Sequence, residues 1–208
     1  MLDARLRPLL AGPLETVTRL LDRRWITPDG LTLAGLAIGL GSALAAALQW
    51  WAVAVILWLL SRLADGLDGT LARRRARASG APGSHAGGFL DITADFVVYG
   101  STVVGVAIGA TAAFDAPWWP FLLVLLAYYV NGTAFLAFSS IAERADRRLD
   151  DGRSLSFLGG LAEATETIVV HTLWLVVPQW SAWIAVGWAA VVGISATQRI
   201  VAGYRALR

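Results

Sequence analysis

Four aspartates interrupt runs that are otherwise apolar. Asp65 and Asp68 lie three residues apart near the end of one hydrophobic run, and Asp91 and Asp95 lie four apart near the start of the next. On helices these spacings put each pair on one face. A single loop joins the two runs, so all four carboxylates can converge at similar depth, roughly one to three helical turns inside a membrane. Carboxylates there are unfavourable and mark functional sites. Four together repel one another unless some are protonated or a hard cation neutralises them. Oxygen-only ligands suit Mg²⁺, Mn²⁺ or Ca²⁺ rather than zinc. Two such ions about 4 Å apart form a recurrent clamp for phosphoryl and phosphodiester chemistry. Gly66 and Gly69 bracket Asp68, and Gly87 and Gly88 precede Asp91, which allows backbone or ligand to come close. Arg73 closes the first of these runs on the same side, where a guanidinium can grip phosphate. An ion pair with Arg62 is the alternative for one aspartate, but it does not account for four.

These groups must be held by helices in a membrane. The chain has 208 residues, 57% hydrophobic and only 15% charged, against about 25% charged in soluble domains. It has no Cys and no Lys, so disulfides and thiolate metal sites are excluded. The Arg residues cluster between apolar runs instead of forming an exposed stripe, which argues against nucleic acid as a partner. Six runs are long enough to cross a bilayer: 31–48, 51–71, 89–110, 118–141, 155–177 and 180–201. Sixteen of seventeen Arg fall on one side of that arrangement, the exception being Arg62. By the positive-inside rule that side is cytoplasmic. Both termini and the carboxylates then lie toward the cytoplasm in a multi-pass protein of the inner membrane. Trp50, Trp51, Trp118, Trp119 and Trp180 fall at the opposite interface, as an aromatic belt does. The polybasic run Arg74 to Arg77 is explained by topology and contact with anionic membrane lipids.

Residues 1–25 read differently. Leu6, Leu9, Leu10, Leu14, Val17, Leu20 and Leu21 recur at helical spacing among Arg and Glu. This predicts an amphipathic helix lying in the interface. The segment has no long apolar core and does not read as a cleavable signal peptide. The rest, 26–208, is expected to be one transmembrane domain. Pro28, Asp29 and Gly30 are expected to form a turn before the first span, and 74–88 a cytoplasmic loop. The expected fold is thus all-α: six transmembrane helices plus an N-terminal amphipathic interfacial helix.

The segment Asp65-Gly-Leu-Asp68-Gly69-Thr-Leu-Ala72-Arg73, followed by Gly87-Gly-Phe-Leu-Asp91-Ile-Thr-Ala-Asp95, resembles the signature of the CDP-alcohol phosphotransferases, D-x-x-D-G-x-x-A-R then G-x-x-x-D-x-x-x-D. Every defining residue is present. Ile26 to Thr32 resembles the family's approach to its first span, and Phe157 to Ile168 is similar to a bacterial branch related to phosphatidylglycerophosphate synthases. The resemblance implies a metal-dependent transfer of a phosphatidyl group from a CDP-linked lipid, such as CDP-diacylglycerol, to an alcohol, with release of CMP. It implies that Asp65, Asp68 and Asp91 hold two Mg²⁺ or Mn²⁺ ions, and that Asp95 bridges them and is the general base. It places Thr32, Gly69, Ala72, Arg73 and Gly87 near the nucleotide, and it implies a homodimer. The 13 residues between Arg73 and Gly87 exceed the family's usual gap. His85 in that stretch either reaches a metal or phosphate or has no role.

The acceptor site is read from the fifth span. Its polar stripe is Glu163, Glu166, Thr167 and His171. Glu163 and Glu166 are expected to line the acceptor cavity, with Arg153 available for a phosphorylated acceptor; pairing of the glutamates with Arg199 or Arg62 is the alternative. Two acidic residues there favour a neutral polyol or cationic acceptor. Intramembrane carboxylates also suit a divalent-cation transporter or channel. That reading requires polar residues through the full membrane depth, whereas here they gather at one side.

Overall fold

In the computed structural model of the chain, residues 3–80, 84–144 and 162–208 are described. Among them every regular element is helical: α1 (Asp3–Leu21), α2 (Pro28–Ala47), α3 (Trp51–Ser79), α4 (His85–Phe114), α5 (Trp119–Arg144), α6 (Ala164–Val176) and α7 (Ser181–Leu207). The helices α2, α4, α5 and α7 are long and apolar enough to cross a membrane. The 29-residue α3 is longer than a bilayer needs, but its second half carries the charges. The described part of the fifth expected span is the 13-residue α6. Its first residues, Leu155 to Leu161, lie outside the described residues.

Two expectations need correction. Pro28, Asp29 and Gly30 are the first turn of α2, not a separate turn. Thr27 is the N-cap, and its Oγ1 accepts from the Gly30 amide at 3.0 Å. Proline at the first helical position loses no hydrogen bond, and Asp29 complements the helix dipole. The expected loop at 74–88 is mostly helix. Arg and Ala are good helix formers, so α3 runs on past the apolar stretch until Gly80, which takes the left-handed conformation at φ 66°. Ser84 then caps α4, accepting from the Gly87 amide at 3.1 Å.

Helices α2, α3 and α4 form the unit that carries the aspartates. Their backbones come very close. A Cβ built on Gly105 would lie 2.1 Å from the Ala43 carbonyl oxygen, and one on Gly109 equally close to that of Ala46. Only glycine admits this approach between α2 and α4. Hydroxyls lock α2 to α3: Ser61 Oγ donates to the Gly35 carbonyl and Ser42 Oγ to that of Ala54, each at 2.7 Å. A second unit pairs α5 with α7, tied by Trp188 Nε1 donating to the Tyr128 hydroxyl at 2.6 Å. Helix α6 joins the two units through His171, which is fully buried between the Trp58 and Tyr128 rings with centroids 5.0 and 6.1 Å away. The outer faces keep Leu33, Leu40, Leu44, Ile56, Leu122 and Leu126 exposed, as lipid-facing surfaces require. Trp50, Trp118, Trp119 and Trp180 are exposed at the turns of the end opposite the aspartates.

Candidate active site

The aspartates meet because the N-terminal ends of α2 and α4 meet the middle of α3. Asp65 and Asp68 lie on one face of α3, and Asp91 lies in the second turn of α4. One carboxylate oxygen from each of Asp65, Asp68 and Asp91 falls within 4.8 Å of the other two. Thr32 in the second turn of α2 donates its hydroxyl to Asp68 Oδ2 at 2.5 Å. All three donors are hard carboxylate oxygens, the set that suits Mg²⁺ or Mn²⁺, so the residues present fit a divalent ion. Asp95, one turn beyond Asp91, is held differently: its Oδ1 accepts from Arg62 Nη1 at 2.6 Å. The pairing with Arg62 that sequence offers for one aspartate is therefore realised at Asp95.

Above Asp68 and Asp91 opens a cavity of about 610 Å³. Every residue expected near a nucleotide lines it: Thr32, Gly69, Ala72, Arg73 and Gly87. The N-terminal ends of α2 and α4 face into it through Thr27, Pro28, Asp29 and Ser84. Exposed amides and the positive ends of helix dipoles there favour a phosphate-bearing ligand. Gly69 has a specific function in this wall. A Cβ there would lie 3.1 Å from Arg73 Nη1, so the missing side chain lets the guanidinium fold back over its own helix. Gly87 likewise admits the Asp29 carboxylate, which a Cβ would meet at 3.2 Å. Gly66 faces α1 instead, toward Leu14.

Helix α1 is clamped to the far end of α3. Arg74 donates to Glu15 at 2.7 Å and to Asp22 at 3.1 Å, and Arg75 Nη2 donates to Asp22 at 2.9 Å. The hydrogen bonds from Arg75 and then Arg74 hold the Asp22 carboxyl below its ordinary pKa. The bonds to Glu15 and then Asp22 raise that of Arg74. Thr18 is buried beneath the same helix. Topology accounts for basic residues at these positions, and the ion pairs explain which way they point.

Other expected site residues lie elsewhere. Glu163 is the N-cap of α6 and Glu166 stands in its first turn; neither lines the 610 Å³ cavity. Arg153 lies outside the described residues. Arg199 is buried and donates to Asn131 Oδ1 at 3.0 Å, joining α7 to α5. His171 does not line the 610 Å³ cavity; its Nδ1 donates to the Thr167 carbonyl at 2.9 Å within the aromatic stack. His85 is exposed at the start of α4 and does not line the cavity. Sequence reasoning missed Asp29 and Ser84 as cavity residues, although each belongs to a helix-start pattern visible in the chain.

Residues 25–195 match the family model for CDP-alcohol phosphatidyltransferase. The chain belongs to that family. It is therefore a transferase of phospholipid synthesis. This phosphatidyltransferase is 39% identical to the inner membrane protein YnjF of Escherichia coli K12, over 100% of this chain and 98% of that protein. It is 33% identical to the archaetidylinositol phosphate synthase of Pyrococcus horikoshii, over 69% of this chain and 77% of that one. Its fold is similar to that of Mycobacterium tuberculosis phosphatidylinositol phosphate synthase (PgsA1) with CDP-DAG bound, at TM-score 0.72 and 21% identity, covering 92% of this chain and 93% of that one. The same enzyme in complex with manganese and citrate matches at TM-score 0.70 and 22% identity, covering 92% and 88%.

Proposed function

We propose that this phosphatidyltransferase moves a phosphatidyl group from a CDP-linked lipid, such as CDP-diacylglycerol, to a small alcohol and releases CMP. The observation that carries this reading is the Asp65, Asp68 and Asp91 cluster beneath a cavity walled by Arg73 and two helix N-termini. Asp65, Asp68, Asp91 and Asp95 would hold divalent ions, Mg²⁺ or Mn²⁺. When bound, the ions neutralise charge on the diphosphate and make CMP a better leaving group. Thr32 orients Asp68. Arg73, in the space left by Gly69, and the amides near Gly87 bind the nucleotide phosphates. Asp95 takes the proton from the acceptor hydroxyl. The hydroxyl oxygen forms a new bond to the β-phosphorus while the bond from that phosphorus to the CMP oxygen breaks.

The chain works as six membrane spans with α1 in the interface, its active site and both termini facing the cytoplasm, and as a homodimer. The arginine distribution and the exposed tryptophans at the opposite end support the orientation. Glu163 and Glu166 are proposed to approach the acceptor, which their charge favours as a neutral polyol or a cation. The names of the Pyrococcus and Mycobacterium relatives point instead to inositol phosphate, and an acceptor panel separates the two.

The test is CMP release by the purified chain with CDP-diacylglycerol, Mg²⁺ or Mn²⁺, and glycerol 3-phosphate, inositol phosphate, inositol, serine, choline or glycerol. Release that requires one acceptor, a metal and Asp95, with Asp95→Asn as the control, supports the reading. Release of no CMP with any acceptor, from folded protein that also binds no CDP-lipid, overturns it.

A further inference from the structure

The segment of α1 and Asp22, the residue after it, sorts its charges between two faces. Leu14, Glu15, Thr18, Leu21 and Asp22 share the side that meets α3. Thr18 is buried there, the other four are partly buried, and Leu14 packs near Gly66. On the other side Leu9, Val17, Arg19, Leu20, Arg23 and Arg24 are exposed. Both carboxylates thus turn toward the arginines of α3. Asp22 Oδ1 accepts from Arg75 Nε at 3.0 Å and from its Nη2 at 2.9 Å, and Oδ2 accepts from Arg74 Nε at 3.1 Å. Arg75 Nη2 also donates to the Arg23 carbonyl at 2.9 Å, and that carbonyl accepts from the Ile26 amide at 3.0 Å. The next residue, Thr27, caps α2 and lines the 610 Å³ cavity together with Pro28, Asp29 and Arg75. The clamp on α1 is therefore continuous with the cavity rim. Arg74 and Arg75 hold it, while Arg73 and Arg77, four residues apart on one face of α3, line the cavity.

We propose that Asp22 is a positioning residue for the donor nucleotide. It holds the turn at 23–26 and the Arg75 side chain against α3, so the rim from Thr27 to Asp29 and the wall at Arg75 are in place before the ligand arrives. The proposal rests on the transferase reading for what the cavity takes, a cytidine diphosphate group. Three features carry it. Asp22 and Arg74 do not line the cavity, so they reach the ligand through what they hold. Both oxygens of Asp22 are engaged, one by each arginine, and ion pairs joined in such a network outlast an isolated surface pair. Finally, an unheld Arg75 would be a long side chain in the cavity wall whose freedom the ligand must quench on binding.

The test compares Asp22→Asn with Arg74→Gln in the full chain in nanodiscs. The two remove opposite charges, and both break the clamp. The Kd for CDP, measured by isothermal titration calorimetry with Mn²⁺ present, should rise about three- to tenfold in each, the scale of one further long side chain to immobilise. The KM for the CDP-lipid should rise with it, and kcat should stay within about twofold. Asp22→Glu keeps the carboxylate and should recover most of the affinity. A clamp that acts only through its field on the diphosphate gives tighter CDP binding in Asp22→Asn and weaker binding in Arg74→Gln, and that split overturns the proposal. A merely structural clamp lowers the unfolding temperature and kcat at unchanged CDP affinity, which overturns it too, as does no change in either variant. If Asp22→Asn does not fold, Glu15→Gln opens the clamp at its other end and should raise the Kd about twofold; no rise overturns the proposal. A wild-type chain that binds CDP but releases no CMP defeats the transferase reading, while the CDP comparison still decides the role of Asp22. A wild-type chain that binds no CDP defeats both.

Discussion

Thr32 on α2 and Asp68 on α3 are joined by a hydrogen bond of 2.5 Å. It is a direct polar link between α2 and the carboxylate cluster. A hydrogen bond to a charged group contributes about 1.5–3 kcal/mol. Thr32→Val keeps the shape and removes the donor. CMP release should fall about tenfold or more, and the metal concentration for half-maximal activity should rise. Thr32→Ser should restore most of both.

The cluster itself should be indispensable. Asp91→Asn replaces one of three clustered oxygens with a poorer ligand, and turnover should fall by at least about 100-fold. Chelation of divalent ions from the wild-type chain should abolish CMP release, and added Mn²⁺ or Mg²⁺ should restore it. Asp91→Asn should not be restored by the same additions.

Gly69 gives a subtler test. Gly69→Ala forces Arg73 to give way by a few tenths of an ångström, because the new Cβ would lie 3.1 Å from its Nη1. The expected result is a rise of about three- to tenfold in KM for the CDP-lipid with kcat less affected. Equal loss in both constants would show instead that the helix, not the nucleotide contact, had been disturbed.

Close helix contact should be readable as stability. Gly105→Ala places a methyl group 2.1 Å from the Ala43 carbonyl oxygen. Because backbone rather than a flexible side chain must move, the expected loss is about 1–3 kcal/mol, seen as a lower unfolding temperature in detergent. Gly187→Ala is the matched control, since nothing lies within 4 Å of its added carbon, and it should be neutral or slightly stabilising.

The clamp on α1 should depend on pH with a defined sign. Asp22 is held below its ordinary value by Arg75 and Arg74, so its contribution is present above about pH 4 and is lost as pH falls through the lowered value. A fluorophore on Leu20→Cys, the sole cysteine of that variant, should report detachment of α1 on acidification. Asp22→Asn should be detached already at neutral pH and insensitive to acid over that window. High salt should weaken the wild-type clamp in the same way, because its partners are partly exposed.

The helices and the four aspartates were readable in the chain because burial in lipid makes charged residues conspicuous. The helix ends were not. Hydropathy near Leu71 changes because the apolar stretch ends, while the backbone stays helical to Ser79 on the propensity of Arg and Ala. Pro28-Asp29-Gly30 looks like a turn by composition and is a capped helix start by hydrogen bonding. The polar stripe in the fifth span suggested a wet face, yet His171 is inside an aromatic stack, because Trp58 on α3 and Tyr128 on α5 decide which side of α6 is covered. Arg62 was visible as the one arginine out of place. Which aspartate it would hold depends on how α3 and α4 are rotated, and α4 is set by its packing against α2 at Val98, Gly105 and Gly109.

One further property follows from α3 being unbroken from Trp51 to Ser79. Asp65, Asp68, Gly69, Ala72 and Arg73 are graduations on a single rigid gauge. Inserting one residue between Asp68 and Arg73 would swing the guanidinium by about 100° and displace it by about 1.5 Å along the axis. No neighbouring side chain can absorb such a twist. A one-residue insertion or deletion in this stretch therefore takes the whole instrument out of calibration.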